Sequence, residues 1–195
     1  QIVILDNVYG EILRNDTLTV QILVGNVKLL HDADTIYCDS AVVYEQLLIA
    51  EAYGDVWIRQ SDGTNAMADY MRYTGKTKSV AMKGNVQLVD KDKNELWSEI
   101  VTYNLNTKIG TYANGGTLIS KETIIQSKEA TYNLKTKDAR FKKDVVINDP
   151  EYHVVSTDLG YNTDTEIVKF FGPSVVTNEN NLMQTTSGTY NAQTK

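Results

Sequence analysis

Apolar and polar residues alternate along most of this chain, and the alternation breaks at fixed intervals. "SVAMKGNVQLVD" (Ser79–Asp90) and "ELWSEIVTY" (Glu95–Tyr103) each read as a strand with one apolar face. "KDKN" (Lys91–Asn94) between them reads as a turn, because Asp and Asn bond to nearby backbone and tolerate turn conformations. "HDAD" (His31–Asp34) and "SDGTN" (Ser61–Asn65) stand at equivalent places. Helical spacing at i, i+3, i+4 and i+7 is hard to find.

The pattern repeats. Tyr44, Tyr73, Tyr103, Tyr132, Tyr161 and Tyr190 follow one another at intervals of 29, 30, 29, 29 and 29 residues. They open "YEQLLI", "YTGKTK", "YNLNTK", "YNLKTK", "YNTDTE" and "YNAQTK", which read as exposed, polar hairpin turns. A second marker keeps the same phase: "GNV" at Gly25, "GDV" at Gly54, "GNV" at Gly84, "GGT" at Gly115, "KDV" at Lys143 and "GPSV" at Gly172. Glycine in mid-strand signals a bulge or a corner. The expectation is that each long strand bends there into a second, facing sheet. Ser40, Ser98, Ser127 and Ser156 of the returning strands are expected at the same corner. One repeat is thus two long antiparallel strands, with copies starting from about residue 14.

The repeat defines inward columns. One lies just past the glycine marker: Val27, Val56, Val86, Thr117, Val145 and Val175. Two residues on lie Leu29, Ile58, Leu88, Ile119, Ile147 and Thr177, on the same face by period two. Two residues before each tyrosine lie Val42, Met71, Val101, Ala130, Leu159 and Gly188. Burying a dozen such side chains contributes roughly 1.5–3 kcal/mol each.

Composition agrees with an all-β fold: Val, Ile, Thr and Tyr abound, with only two prolines, Pro150 and Pro173. The 195 residues carry 19 basic and 25 acidic side chains, a formal charge of −6. No basic patch emerges, so nucleic acid is not an expected partner. No run approaches 18 apolar residues, and no charged segment followed by an apolar run opens the chain. The chain starts at Gln1 and stops within a turn at Lys195; a mature or trimmed piece of a longer protein is expected. Cys38 is the single cysteine, so no internal disulfide forms.

The stretches "GNVKLLHDADTIYCDSAVVYE" (Gly25–Glu45), "GDVWI" (Gly54–Ile58), "GNVQLVDKD" (Gly84–Asp92), "YNLNTKIGTYANGGTLISKE" (Tyr103–Glu122) and "YNTDTEIVKFFGPSVV" (Tyr161–Val176) resemble the OstA/LptA-like family of lipopolysaccharide-transport proteins. They look closest to the OstA-like proteins of Bacteroidota. The resemblance covers roughly residues 14–195 and departs at Tyr44, whose copy lacks "NxxTK". It implies one elongated, twisted, open β-jelly roll over residues 1–195, built from stacked antiparallel hairpins in two facing sheets. It implies a periplasmic protein of outer-membrane biogenesis, with acyl chains of lipopolysaccharide shielded in an apolar groove. The implied partners are lipopolysaccharide, other jelly-roll proteins of the transport system, and the chain itself by end-to-end strand pairing. No enzymatic activity and no cofactor are implied.

The groove residues expected from the columns are Val27, Leu29, Val42, Val56, Ile58, Met71, Val86, Leu88, Val101, Ile119, Phe141, Val145, Ile147, Leu159 and Val175. Among the large apolar groups Trp57, Trp97, Phe141, Phe170 and Phe171, core and groove roles have the same alternation. A structural β-solenoid or interaction rod with a closed core is the alternative reading; parallel pairing of consecutive strands would mark it. An enzyme finds no motif: "NGGT" (Asn114–Thr117) lacks the Lys-Ser/Thr and helix of a phosphate loop, and no G-x-S-x-G, H-E-x-x-H or C-x-x-C occurs. No catalytic residue is assigned, and no metal site is expected. His31, with Asp32 and Asp34, reads as a turn rather than a cation site, His153 stands far from it, and Cys38 reads as a buried structural thiol. Lys76, Lys78, Lys108, Lys135, Lys137 and Lys195 fall at the repeated turn. They read as a solvated, protective rim, or as attraction for lipid phosphates.

Overall fold

The computed structural model describes residues 2–179 and 181–191. Gln1 and the last four residues of "YNAQTK", with Lys195, lie outside the described residues. The fold is all β, with no helix among the described residues. Consecutive long strands pair antiparallel, for example Val43 with Ala50 and Ala50 with Tyr73. Stacked hairpins, not a parallel coil, are therefore the building unit.

The chain forms two compact units: Gln1–Lys91 with Ile100–Asn106, and Asp92–Glu99 with Thr107–Lys195. The first holds β1 (Ile2–Asp6), β2 (Tyr9–Arg14), β3 (Thr19–His31), β4 (Asp34–Tyr44), β5 (Ile49–Arg59), β6 (Asn65–Thr74), β7 (Ser79–Val89) and the end of β8 (Glu95–Asn104). Each strand from β3 to β7 is interrupted once and so divides into two arms. β2 pairs with the first arm of β3 and β1 with its second arm.

In the second unit each outgoing and returning strand follows the same plan, mostly as separate halves. The first arm runs through β9 (Ile109–Tyr112), β12 (Glu129–Asn133), β13 (Asp138–Asn148), β14 (His153–Asn162), β15 (Ile167–Phe170) and β18 (Gly188–Asn191). The second arm begins in β8 and runs through β10 (Gly116–Ser120), β11 (Thr123–Ser127), β13, β14, β16 (Ser174–Thr177) and β17 (Leu182–Thr185).

The interruption is a bulge at the repeated Gly-Asn pair. Gly25, Gly54 and Gly84 have φ of 81°, 72° and 75°, and the following Asn26, Asp55 and Asn85 have φ of 51°, 40° and 47°. Left-handed backbone favours Gly first and Asn or Asp next, which is why these residue types recur. Space demands glycine as well: a Cβ on Gly84 would lie 2.3 Å from Asp69 Oδ2, and one on Gly54 equally close to Asp39 Oδ2. Two residues on the outgoing strand oppose one on its neighbour, as between Tyr53–Val56 and Ala68–Tyr70.

The bulge sets the phase of the core. On outgoing strands the buried residues run as Val80, Met82, then Val86, Leu88 in β7, and Ala139, Phe141, then Val145, Ile147 in β13. On returning strands the step at the corner shortens to three: Ala66, Ala68, then Met71, Tyr73 in β6, and Val154, Ser156, then Leu159, Tyr161 in β14. Twelve of the fifteen expected inward residues are buried in this pattern: Val27, Leu29, Val56, Ile58, Met71, Val86, Leu88, Val101, Phe141, Val145, Ile147 and Leu159.

Val42, Ile119 and Val175 are half-buried on the opposite face, which corrects the expected columns by one residue. Ala50 pairs with both Val43 and Tyr73, so Val43, not Tyr44, holds the repeat tyrosine's place, and Ala41, not Val42, the place of Met71. In "ANGGTL" the left-handed glycine is Gly115 and Gly116 takes the Val86 position, so Leu118 is the buried residue. In "FFGPSVV" Ser174 and Val176 are buried and Val175 faces out. Phe141 and Phe170 are core, whereas Trp57, Trp97 and Phe171 are exposed. Outside, Tyr37 stacks on Trp57 at 5.2 Å, and Arg140 lies 3.3 Å over Phe171.

Candidate functional site

Within each unit the turn-bearing ends of the two arms approach one another; repeat tyrosines span the gap in the first unit, and Asn94 and Thr163 span it beside Tyr132 in the second. Tyr73, at the end of β6, bonds His31 Nε2 at the end of β3, 2.8 Å away. Tyr103 reaches Gln60 at 3.4 Å. In the second unit Tyr132 meets Thr163 Oγ1 at 3.2 Å, which also accepts from Asn94 at 3.5 Å. These rings are buried, so the tyrosine belongs to the interior rather than to an exposed turn. Burial pushes the Tyr112 hydroxyl, beside Ser127, up to about 12.

The rest of the motif builds the turn. Asn133 Oδ1 accepts from the backbone of Lys135 and Thr136, and Asn162 Oδ1 from Asp164 and Thr165. Leu48, Lys78, Lys108, Lys137 and Glu166, at one place in successive copies, are all left-handed. The carbonyls of Leu48, Lys78, Lys108 and Lys137 accept from Gly75, Leu105, Leu134 and Thr163 respectively. One turn is thereby tied to the next.

The side chains at this place differ. Lys137 is buried and ion-pairs with Asp92. Glu166 pairs with Lys121. The signs are reversed between two adjacent copies, 45 residues separating the partners each time; the bridge recurs, not the identity of its charges. Lys78 makes no ion pair among the described residues.

At that copy the first unit is open. A cavity of about 640 Å³ lies between its arms, walled by Ile2 and Ile4 of β1, Val43 and Tyr44 of β4, and Leu48 and Ile49 after it. Gln21, His31, Glu45, Tyr73, Gly75 and Lys78 stand at its polar margin. Gln21 Nε2 donates to Glu45. Burial holds the His31 pKa below its ordinary value, with Asp32 pulling it up and Lys78 pushing it down. In the second unit, recesses of about 670 and 810 Å³ open among turn residues and outward-facing side chains such as Thr131, Lys169, Val155 and Val175.

None of the fifteen expected groove residues lines the 640 Å³ cavity. Twelve are packed core, and the cavity sits at the turn end, on residues the columns did not reach. Ile2 and Ile4 lie before the first repeat; their alternation in "IVILD" was the available signal. Val43 was missed through the one-residue slip at Tyr44. His31 is not a bare turn residue but a buried partner of Tyr73, whereas His153 is exposed. Cys38 is buried, and burial raises its thiol to about 11, an unreactive range. No cluster of metal-ligating side chains occurs among the described residues.

The family described as OstA-like protein matches residues 2–158. The chain belongs to the OstA-like family. The match starts in β1 and so takes in the two strands that precede the first recognisable repeat. Among solved structures the OstA-like chain is similar to LptH of Pseudomonas aeruginosa, described as the LptA-homologous periplasmic component of the conserved lipopolysaccharide transport device. Identity is 13%, covering 69% of this chain and 79% of that one, with a TM-score of 0.34. No curated protein matches.

Proposed function

We propose that this OstA-like protein carries lipopolysaccharide through the periplasm by shielding acyl chains between its arms. The supporting observation is the cavity of about 640 Å³ in the first unit, walled by Ile2, Ile4, Val43 and Ile49, in a chain of the OstA-like family. Its size falls within the usual range of small-ligand sites, and its walls suit hydrocarbon. The expected partners are lipopolysaccharide and other β-rich transport proteins joined by strand addition. In support of that joining, β2 is exposed along its whole length, with Ile12 and Leu13 open to solvent, as a strand awaiting a neighbour would be.

The test is binding of purified lipopolysaccharide, read by native mass spectrometry. Filling the cavity with Val43→Trp or Ile49→Trp is expected to weaken binding at least tenfold, with Lys91→Ala unchanged. Undiminished binding by both filled variants would remove the cavity from the account.

A further inference from the structure

We propose that Lys78 holds the anionic phosphate of an amphiphile whose chain enters the 640 Å³ cavity. The inference rests on the reading of that cavity as an acyl-chain site and adds where the headgroup goes.

The repeat supplies the argument. At the equivalent place Lys137 is neutralised by Asp92, and Glu166 by Lys121. Two charged copies of the second unit, Lys137 and Glu166, thus meet an opposite charge across the mouth. Lys78 is the half-buried copy that lines the cavity and has no ion pair among the described residues. The carboxylates near the mouth do not meet it. Glu45 accepts from Gln21, Asp34 accepts from the Ser61 backbone at 3.0 Å, and Asp32 sits 3.7 Å from His31 Nδ1. A phosphate seated at Lys78 would take the role Asp92 plays for Lys137, and with His31 Nε2–H donating to the Tyr73 oxygen the Tyr73 hydroxyl hydrogen is left to give to the same group. The apolar walls then follow inward from Val43 and Ile49. One ammonium at the rim of an apolar cavity fits a monoanionic or dianionic headgroup on a hydrocarbon chain. It does not fit a free polar metabolite, for which the walls offer nothing.

The experiment compares dodecyl phosphate, the uncharged hexaethylene glycol monododecyl ether and inorganic phosphate, titrated by calorimetry below the micelle range. The wild-type chain is expected to bind dodecyl phosphate at least tenfold tighter than the ether, and inorganic phosphate not measurably. Lys78→Gln is expected to reduce the advantage to less than twofold while leaving the ether unchanged, and Lys78→Arg to keep it. Binding of the ether with no phosphate advantage, or an advantage that survives Lys78→Gln, overturns the headgroup site alone. Failure of both amphiphiles overturns the acyl-chain reading beneath it. Inorganic phosphate binding as tightly as dodecyl phosphate overturns the amphiphile in favour of a free-anion site.

Discussion

Lys78 and Lys137 occupy one place in two copies of one turn, with the same left-handed backbone and the same carbonyl rung to the next turn. Lys137 is buried against Asp92; Lys78 edges a cavity and has no such counter-charge among the described residues. The turn is therefore scaffold in both units, and its side chain decides whether the mouth is bridged. In the second unit the Lys137 and Glu166 copies are bridged by ion pairs, and its interior is packed around Phe141, Leu118, Ile125 and Leu159. The first unit's opening copies carry Leu48 and Lys78 and leave space.

The strongest way to break this contrast is to remove volume from each interior. Phe141 is fully buried, so Phe141→Ala is expected to cost about 3–5 kcal/mol in urea denaturation. Val43→Ala, on a wall that already faces a cavity, is expected to cost less than about 1.5 kcal/mol. Equal losses would mean that the two interiors are packed alike.

The ion pairs give a smaller effect. Asp92→Asn leaves the buried Lys137 ammonium without its counter-charge and is expected to cost about 1–3 kcal/mol. Lys78→Met removes no described pair and is expected to change stability by less than about 0.5 kcal/mol.

The tyrosines sharpen the contrast further. Tyr73→Phe strips His31 of its hydroxyl partner and is expected to destabilise by about 1 kcal/mol. The Tyr161 hydroxyl is buried near Thr123 and Ser120 but makes no hydrogen bond of good geometry among the described residues, so Tyr161→Phe is expected to be neutral or stabilising by thermal melting. A matching loss at both positions would contradict the strut assigned to Tyr73.

Acid gives the mildest test. His31 has a folded pKa below its ordinary value because burial disfavours the cation. The unfolded chain then binds more protons, so stability is complete above about pH 6.5 and falls as pH drops through that value toward the lowered folded pKa. The melting temperature is expected to fall more between pH 7.5 and 5.5 in the wild type than in His31→Gln. Parallel curves would place His31 in contact with water.

Much of this architecture was legible in the sequence. Glycine followed by Asn or Asp in mid-strand announced the bulge, because few other residues accept two successive left-handed conformations. The fixed spacing of the tyrosines gave the hairpins and most of the packed columns. The slips at Val42, Ile119 and Val175 have local causes: Tyr44 lies one residue past the repeat tyrosine's place, Gly116 takes the valine position directly after the left-handed Gly115, and Ser174 stands where a valine was expected; period two then reverses the face. The cavity was not legible, since it depends on what is missing opposite Leu48 and Lys78. Contacts across the mouth join residues some 42 to 45 positions apart, such as Tyr73 with His31 and Lys137 with Asp92, which no local pattern shows.

The central claim, that hydrocarbon enters the first unit and not the packed second one, is tested most directly by photo-crosslinking. A photoreactive residue at Val43 or Ile49 is predicted to capture lipopolysaccharide, and one at Leu159 or at exposed Lys91 to give only background. Equal capture at all four positions, or capture confined to Leu159, would contradict the account.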